Sequence, residues 1–163
     1  MGFFKRICTL GLGMMAGLII GGYGMGHKYC LKLTESRTTA EKHLHMVRLY
    51  DIWMMSKQSG RSIEAYLIER GINDIAVYGM SYLGIRLFHE LKGSSVCVKY
   101  GIDMHPRARI PGIRIYHPDD KGLEKVDAVI VTTVFVYDLI KKKMEEKGTG
   151  RIIAFDDILY NLI

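Results

Sequence analysis

Glycine, serine and a carboxylate stand at intervals that suit the holding of a phosphorylated ligand. The six residues Gly79-Met80-Ser81-Tyr82-Leu83-Gly84 follow an apolar run and lead into a stretch with helical spacing. Asp103 stands nineteen residues after Gly84, at the end of a second apolar run. Strand, glycine turn, helix, strand and carboxylate in that order make a dinucleotide-binding arrangement, here with Ser81 in place of the middle glycine. A turn without side chains lets phosphate approach the backbone N–H groups at a helix N-terminus, and the carboxylate accepts hydrogen bonds from ribose hydroxyls. Ser81 adds a Cβ where the backbone must approach most closely. It either weakens dinucleotide binding or helps, through its hydroxyl, to hold a single phosphate. Thr132 and Thr133 end a further apolar run and offer hydroxyls to the opposite wall. The competing reading is that Gly79 and Gly84 serve only a tight turn and close helix packing. A P-loop is excluded, because Ile85 and Arg86 stand where Lys and Ser or Thr are needed.

No catalytic group emerges from order alone. Tyr137 and Lys141 have the Tyr-x-x-x-Lys spacing of short-chain dehydrogenases, but they follow Gly79 too closely for that fold and read as a helix-surface pair. Asp119 and Asp120 are adjacent, which suits a turn or a helix cap better than an acid and base pair. Arg107, Arg109 and Arg114 surround the loop after Asp103, where they either meet an extra phosphate or an acidic sugar or simply face solvent. His43 and His45 point to different faces of a helix. His27, His89, His105 and His117 stand singly, so no metal site is expected.

The elements that must position these residues alternate as in a parallel sheet with crossovers. Ile75 to Tyr78 reads as the first strand, and Leu83, Leu87 and Leu91 form the apolar stripe of a helix ending near Gly93. Val96, Val98, Tyr100 and Ile102 alternate as a second strand, and Ile113 to Tyr116 gives a short third. The run Ala128 to Thr132 is almost wholly apolar, as a central strand should be. A helix from Tyr137 to Lys147 leads to a fifth strand, Arg151 to Ala154, and Asp156 or Asp157 is placed to cap a terminal turn. Upstream, Leu44, Val47, Tyr50 and Met54 recur at three- and four-residue spacing in a helix over 39–57. Trp53, Met54 and Met55 read as core in preference to a lipid or partner patch. Gly60 is a stop, Ser62 the cap of a short second helix through Glu69, and Gly71 its end.

At these residues the C-terminal part resembles the half-Rossmann domains that precede membrane-linked nucleotide-sugar dehydratases and some nucleotide-sugar acyltransferases of bacterial envelope polysaccharide synthesis. The resemblance covers 72–162 and rests on Tyr78-Gly79, Ile102-Asp103, Ile110-Pro111-Gly112-Ile113 and the run from Val126 to Thr132. It implies a nucleotide-type ligand in the cleft beyond the first and fourth strands, carried over to Gly79, Ser81, Asp103, Thr132 and Thr133. Ser81 departs from the usual glycine, and neither a dehydratase nor an acyltransferase domain follows Ile163 in this sequence.

Ile7 to Gly26 run twenty residues without a charge, enough at helical rise to cross a bilayer. Lys5 and Arg6 before it are outnumbered by Lys28, Lys32, Arg37 and Lys42 after it, which favours a retained anchor with a cytoplasmic C-terminal domain. A cleaved signal peptide is the competing reading, with Gly22 and Gly24 at a cleavage-like spacing. Gly13, Gly17 and Gly21 share one helix face, which fits either self-association or ordinary membrane-helix composition. Gly11 to Gly17 only superficially resembles a dinucleotide fingerprint, and Arg6 spoils a myristoylation signal.

The formal charge of +6 arises at this end: residues 1–33 carry four basic and no acidic side chains, while 72–163 carry 13 basic and 12 acidic ones. That distribution points to membrane orientation and away from nucleic acid. Cys8, Cys30 and Cys97 form no disulfide framework and suit a reducing compartment.

The expected organisation is an anchor over 1–32, a helical spacer over 33–71 and an α/β domain, a half-Rossmann parallel sheet of about five strands, over 72–163. The expected function is a membrane-tethered binding module for a nucleotide, nucleotide-sugar or NAD(P), using Gly79, Met80, Ser81, Gly84, Asp103, Thr132 and Thr133, alongside glycosyltransferases. An adaptor with an empty cleft, binding partner proteins, is the alternative, and a small enzyme is third.

Overall fold

The structure, a computed structural model, describes residues 39–106 and 110–163. The apolar segment Ile7–Gly26 with its glycine face, together with Arg107 and Arg109, lies outside the described residues. Among the described residues no helix is long and apolar enough to cross a membrane.

Residues Val47–Ile163 form one compact unit. The elements are a helix described over residues 39–58 (α1), α2 (Ile63–Ile68), β1 (Asp74–Tyr78), α3 (Tyr82–Leu91), β2 (Cys97–Ile102), β3 (Ile115–Tyr116), β4 (Ala128–Val131), a single 3-10 turn (Val134–Val136), α4 (Tyr137–Lys147), β5 (Arg151–Ala154) and α5 (Phe155–Tyr160). The strands form one sheet in the order β3-β2-β1-β4-β5, every pair parallel. This is a half-Rossmann-like α/β arrangement. The wholly apolar β4 is interior, buried along its length, with β1 on one side and β5 on the other. The middle place belongs to β1.

Alternation along the strands divides the core between two faces. Ala76, Tyr78, Tyr100, Ile102, Val129 and Val131 pack with Ile140 and Met144 of α4. Ile75, Val77 and Ile130 are fully buried on the other face, where α3 crosses β1 and β2.

Asp127, just before β4, fastens the start of the sheet. Its Oδ2 accepts the backbone N–H groups of Asn73 and Asp74, each at 2.9 Å. Those hydrogen bonds, Asp74's first, hold the carboxyl below its usual range. A depressed folded-state value stabilises the fold above the unfolded pKa of about 3.9, and the gain disappears as pH falls through the folded value. Asp127→Asn is therefore expected to melt below wild type at pH 7, with the gap closing as the pH is lowered through the carboxylate range. Circular dichroism melts across that range check this. A gap that stays constant with pH would count against the carboxylate's role.

Four details differ from the sequence expectation. In α1 the buried positions are Leu49, Trp53 and Ser56, while Leu44, Val47, Met54 and Met55 are exposed. Trp53 is core as expected: its ring meets Phe155 edge-on at 5.0 Å, and its Nε1 donates to Glu90 Oε2 at 2.7 Å. Met54 and Met55 are not core. The third strand shrinks to two residues, because Ile113 N–H donates back to Ile110 carbonyl and the Pro111-Gly112 pair forms a turn. Asp156 and Asp157 lie within the first turn of α5, where their charge suits the helix N-terminus, and neither caps it. Ser62 does cap α2, its Oγ accepting from Ala65 N–H at 3.0 Å.

Candidate functional site

All five strands point the same way, so their C-terminal tips lie along one edge. From β1 the chain proceeds outward through β2 to β3, and from β4 outward to β5. The order therefore reverses between β1 and β4, the place where open parallel sheets hold ligands. The β3 to β4 crossover, residues 117–127, contains no helix. It is held flat by Leu123, by the buried Val126 and by Tyr100, whose hydroxyl donates to the Glu124 carbonyl at 2.5 Å. Burial, with Glu124 nearby, pushes the Tyr100 hydroxyl up to about 12.

A cleft of about 510 Å³ opens at the reversal. Tyr78 and Gly79 at the tip of β1 line it, with Asp103 and Met104 after β2 and Thr133 after β4. Val136, Leu139, Ile140 and Lys143 supply the wall from the 3-10 turn and α4. Spacings of three and four residues bring those four onto one helical face. Volume and lining fit a small-molecule site, largely apolar with a few polar groups.

Gly79 has φ +93°, a conformation side chains rarely adopt. A Cβ there would lie 2.4 Å from Thr133 Oγ1 and 2.7 Å from Thr132 Oγ1. Its N–H donates to the Ile102 carbonyl at 2.8 Å, so the expected phosphate contact from this group is already committed to the strand ladder. Gly84 sits beneath the turn, where a Cβ would come within 2.2 Å of Gly79 carbonyl oxygen. Turn and packing thus demand both glycines whether or not a ligand is bound.

Met80 is buried, its side chain lying over Gly101, which leaves only its backbone for a ligand. Ser81 is exposed at the N-cap of α3, and its hydroxyl makes no capping bond. Asp103 is half-buried, with Oδ1 accepting from His105 N–H at 2.8 Å. Thr132 departs from expectation. Its buried hydroxyl donates to the Gly79 carbonyl at 2.7 Å and lies 3.1 Å from that of Tyr78, tying β4 to the β1 turn and leaving the ligand wall to the exposed Thr133. Gly79, Asp103 and Thr133 meet on the cleft, whereas Met80, Ser81, Gly84 and Thr132 do not line it.

Two polar cleft residues escape the motif. Tyr78 is 5 % exposed. Its hydroxyl makes no hydrogen bond among the described residues, yet it is not sealed off from the cleft. Burial raises its pKa, so it remains a neutral phenol. Lys143 places Nζ 2.6 Å from Asp119 Oδ1, and that hydrogen bond holds the Asp119 carboxyl low. Their only signals in the sequence are Tyr78's place at a strand tip and Lys143's spacing from Leu139 and Ile140.

The remaining candidates fall elsewhere. Tyr137 donates its hydroxyl to the Ile152 carbonyl at 3.1 Å and Lys141 lies 6.0 Å over its ring, a structural pair. Asp120 accepts from His117 N–H at 2.9 Å, closing a turn with Asp119. Arg114 lies 4.7 Å over the Tyr116 ring. Among the described residues no group of three or more His, Cys, Asp or Glu side chains is placed to hold a metal ion. No protein-family model and no curated protein matches the chain.

Proposed function

We propose that the chain is a membrane-anchored binding module whose cleft holds a nucleotide or nucleotide-sugar without turning it over. The observation that carries the reading is the convergence of Gly79, Asp103 and Thr133 on one cleft at the reversal of strand order. Asp103 takes ribose hydroxyls, Thr133 forms the opposite wall, and phosphate meets the backbone N–H groups after Gly79, at Met80 and Ser81. The parallel sheet agrees with the resemblance to half-Rossmann domains of nucleotide-sugar dehydratases and acyltransferases. A role accessory to envelope polysaccharide synthesis, beside glycosyltransferases, follows from that resemblance. Retention of Ile7–Gly26 as an anchor places the domain at the cytoplasmic face.

The test is calorimetry of the full chain in detergent against nicotinamide dinucleotides, coenzyme A, and uridine- and cytidine-diphosphate sugars. Binding of one of them is expected, and Asp103→Ala should weaken it by about 1–3 kcal/mol, roughly tenfold or more. A folded chain that binds none of them leaves the adaptor reading, which the exposed Val47, Met54 and Met55 on α1 favour. Turnover of any of them makes the chain an enzyme.

A further inference from the structure

We propose that Tyr78 is the specificity-determining residue of the cleft, its hydroxyl hydrogen-bonding the uncharged nucleoside part of the ligand, so that the nucleoside carries most of the affinity. The inference rests on the nucleotide reading above and says which end of the ligand enters.

A buried tyrosine hydroxyl ordinarily has a partner within the protein. Tyr100 and Tyr137 on the same side of the sheet both do, donating to the carbonyls of Glu124 and Ile152. Tyr78 is buried by the same packing, 5 % exposed, and has none among the described residues. Its ring is packed into the core and the residue lines the cleft, which leaves the hydroxyl, unpartnered among the described residues, as a donor and acceptor for a ligand. Burial keeps the phenol protonated through the physiological range, so the donor is always present.

The rest of the wall selects against charge. Met104, Val136 and Leu139 present apolar surface, all of it partly open to solvent and able to cover the face of a planar ring. Among the described residues of the wall the one lysine, Lys143, is already paired with Asp119, and Asp103 adds a carboxylate. A phosphate placed inside would have to displace Asp119 from Lys143 and face Asp103. An uncharged heterocycle with a hydroxylated sugar meets neither obstacle: a ring carbonyl or nitrogen accepts from Tyr78, and sugar hydroxyls donate to Asp103. The phosphates then lie outside the cleft, past Gly79.

The experiment titrates uridine, cytidine and adenosine, and their 5′-diphosphates, into full-length wild type and Tyr78→Phe. That substitution removes a hydroxyl with no partner among the described residues, so the fold is expected to be unchanged, with matching circular dichroism melts as the control. The base whose diphosphate binds wild type should also bind as the free nucleoside, within about tenfold of the diphosphate. Tyr78→Phe should weaken both by the same factor, about tenfold, the weight of one hydrogen bond. A nucleoside more than tenfold weaker than its diphosphate, or a Tyr78→Phe variant with wild-type affinity, overturns the inference and leaves the nucleotide reading standing. Failure of every diphosphate and nucleoside to bind the folded chain overturns both.

Discussion

A chain shortened to begin at Ile72 will not fold cooperatively, whereas one that keeps residues 39 onward will unfold in a single transition. Leu49, Ile63 and Leu67 are completely buried, and Trp53 nearly so, all within the unit that contains the sheet. Burial of each such side chain contributes about 1.5–3 kcal/mol. Lost together, they match the whole margin of about 5–15 kcal/mol by which a domain is stable. Truncation also uncovers Phe155 beneath Trp53 and strips Glu90 of its indole donor and of Lys57, 2.6 Å away. Near-UV circular dichroism and urea titration of the two fragments provide the measurement. A shortened chain with wild-type midpoint would show that α1 and α2 add nothing to the core.

Gly84→Ala is expected to destabilise the protein although it places a better helix former inside α3. The propensity gain is about 0.5–1 kcal/mol. Against it stands a Cβ 2.2 Å from Gly79 carbonyl oxygen and 3.3 Å from Val77 Cγ1, a clash with backbone that no rotamer change relieves. Overpacking costs about 1–3 kcal/mol, so the net effect is a loss, and Gly84→Val should be worse. Gly79→Ala meets both a clash and a positive φ, which makes it a test of folding and a poor probe of ligand binding. Urea midpoints decide the matter. A Gly84→Ala variant at least as stable as wild type would mean that α3 can lift off the turn freely.

The parts of the fold that could be read from the sequence are those where one physical demand dominates. The run Ala128–Val131 is apolar because both faces of an interior parallel strand are covered. α4 and β5 lie where periodicity and composition place them, since Gly148 ends the helix in a left-handed conformation. α1 is ambiguous in the sequence, because it carries apolar residues on two sides. Spacing alone does not choose between Leu44, Val47 and Met54 on one and Leu49 and Trp53 on the other. The choice is made by Phe155 and Glu90, both distant in sequence.

The site divides in the same way. The glycine turn is legible because backbone geometry imposes it. Thr132 and Thr133 are equivalent as letters, yet one hydroxyl is spent on the β1 carbonyls and the other is exposed. Tyr78 and Lys143 acquire meaning only when α4 is laid against the β1 tip, which no local pattern announces.

Ile75 to Tyr78 pair with Ala128 to Val131, and all of β2, β3 and the 117–127 crossover lie between them in the chain. β1 and β2, by contrast, are joined through α3 alone. Longer loops cost only slightly more to close, about 0.6 kcal/mol per doubling, but pairings remote in sequence are slow to form. The β1–β4 ladder is therefore expected to form late, as a seam between the β1-α3-β2 half and the β4-α4-β5 half. The cleft lies across that seam, with Asp103 on one bank and Thr133 on the other. A molecule gripping both banks would act as a stitch: it would lengthen the lifetime of the assembled sheet by holding its two halves together.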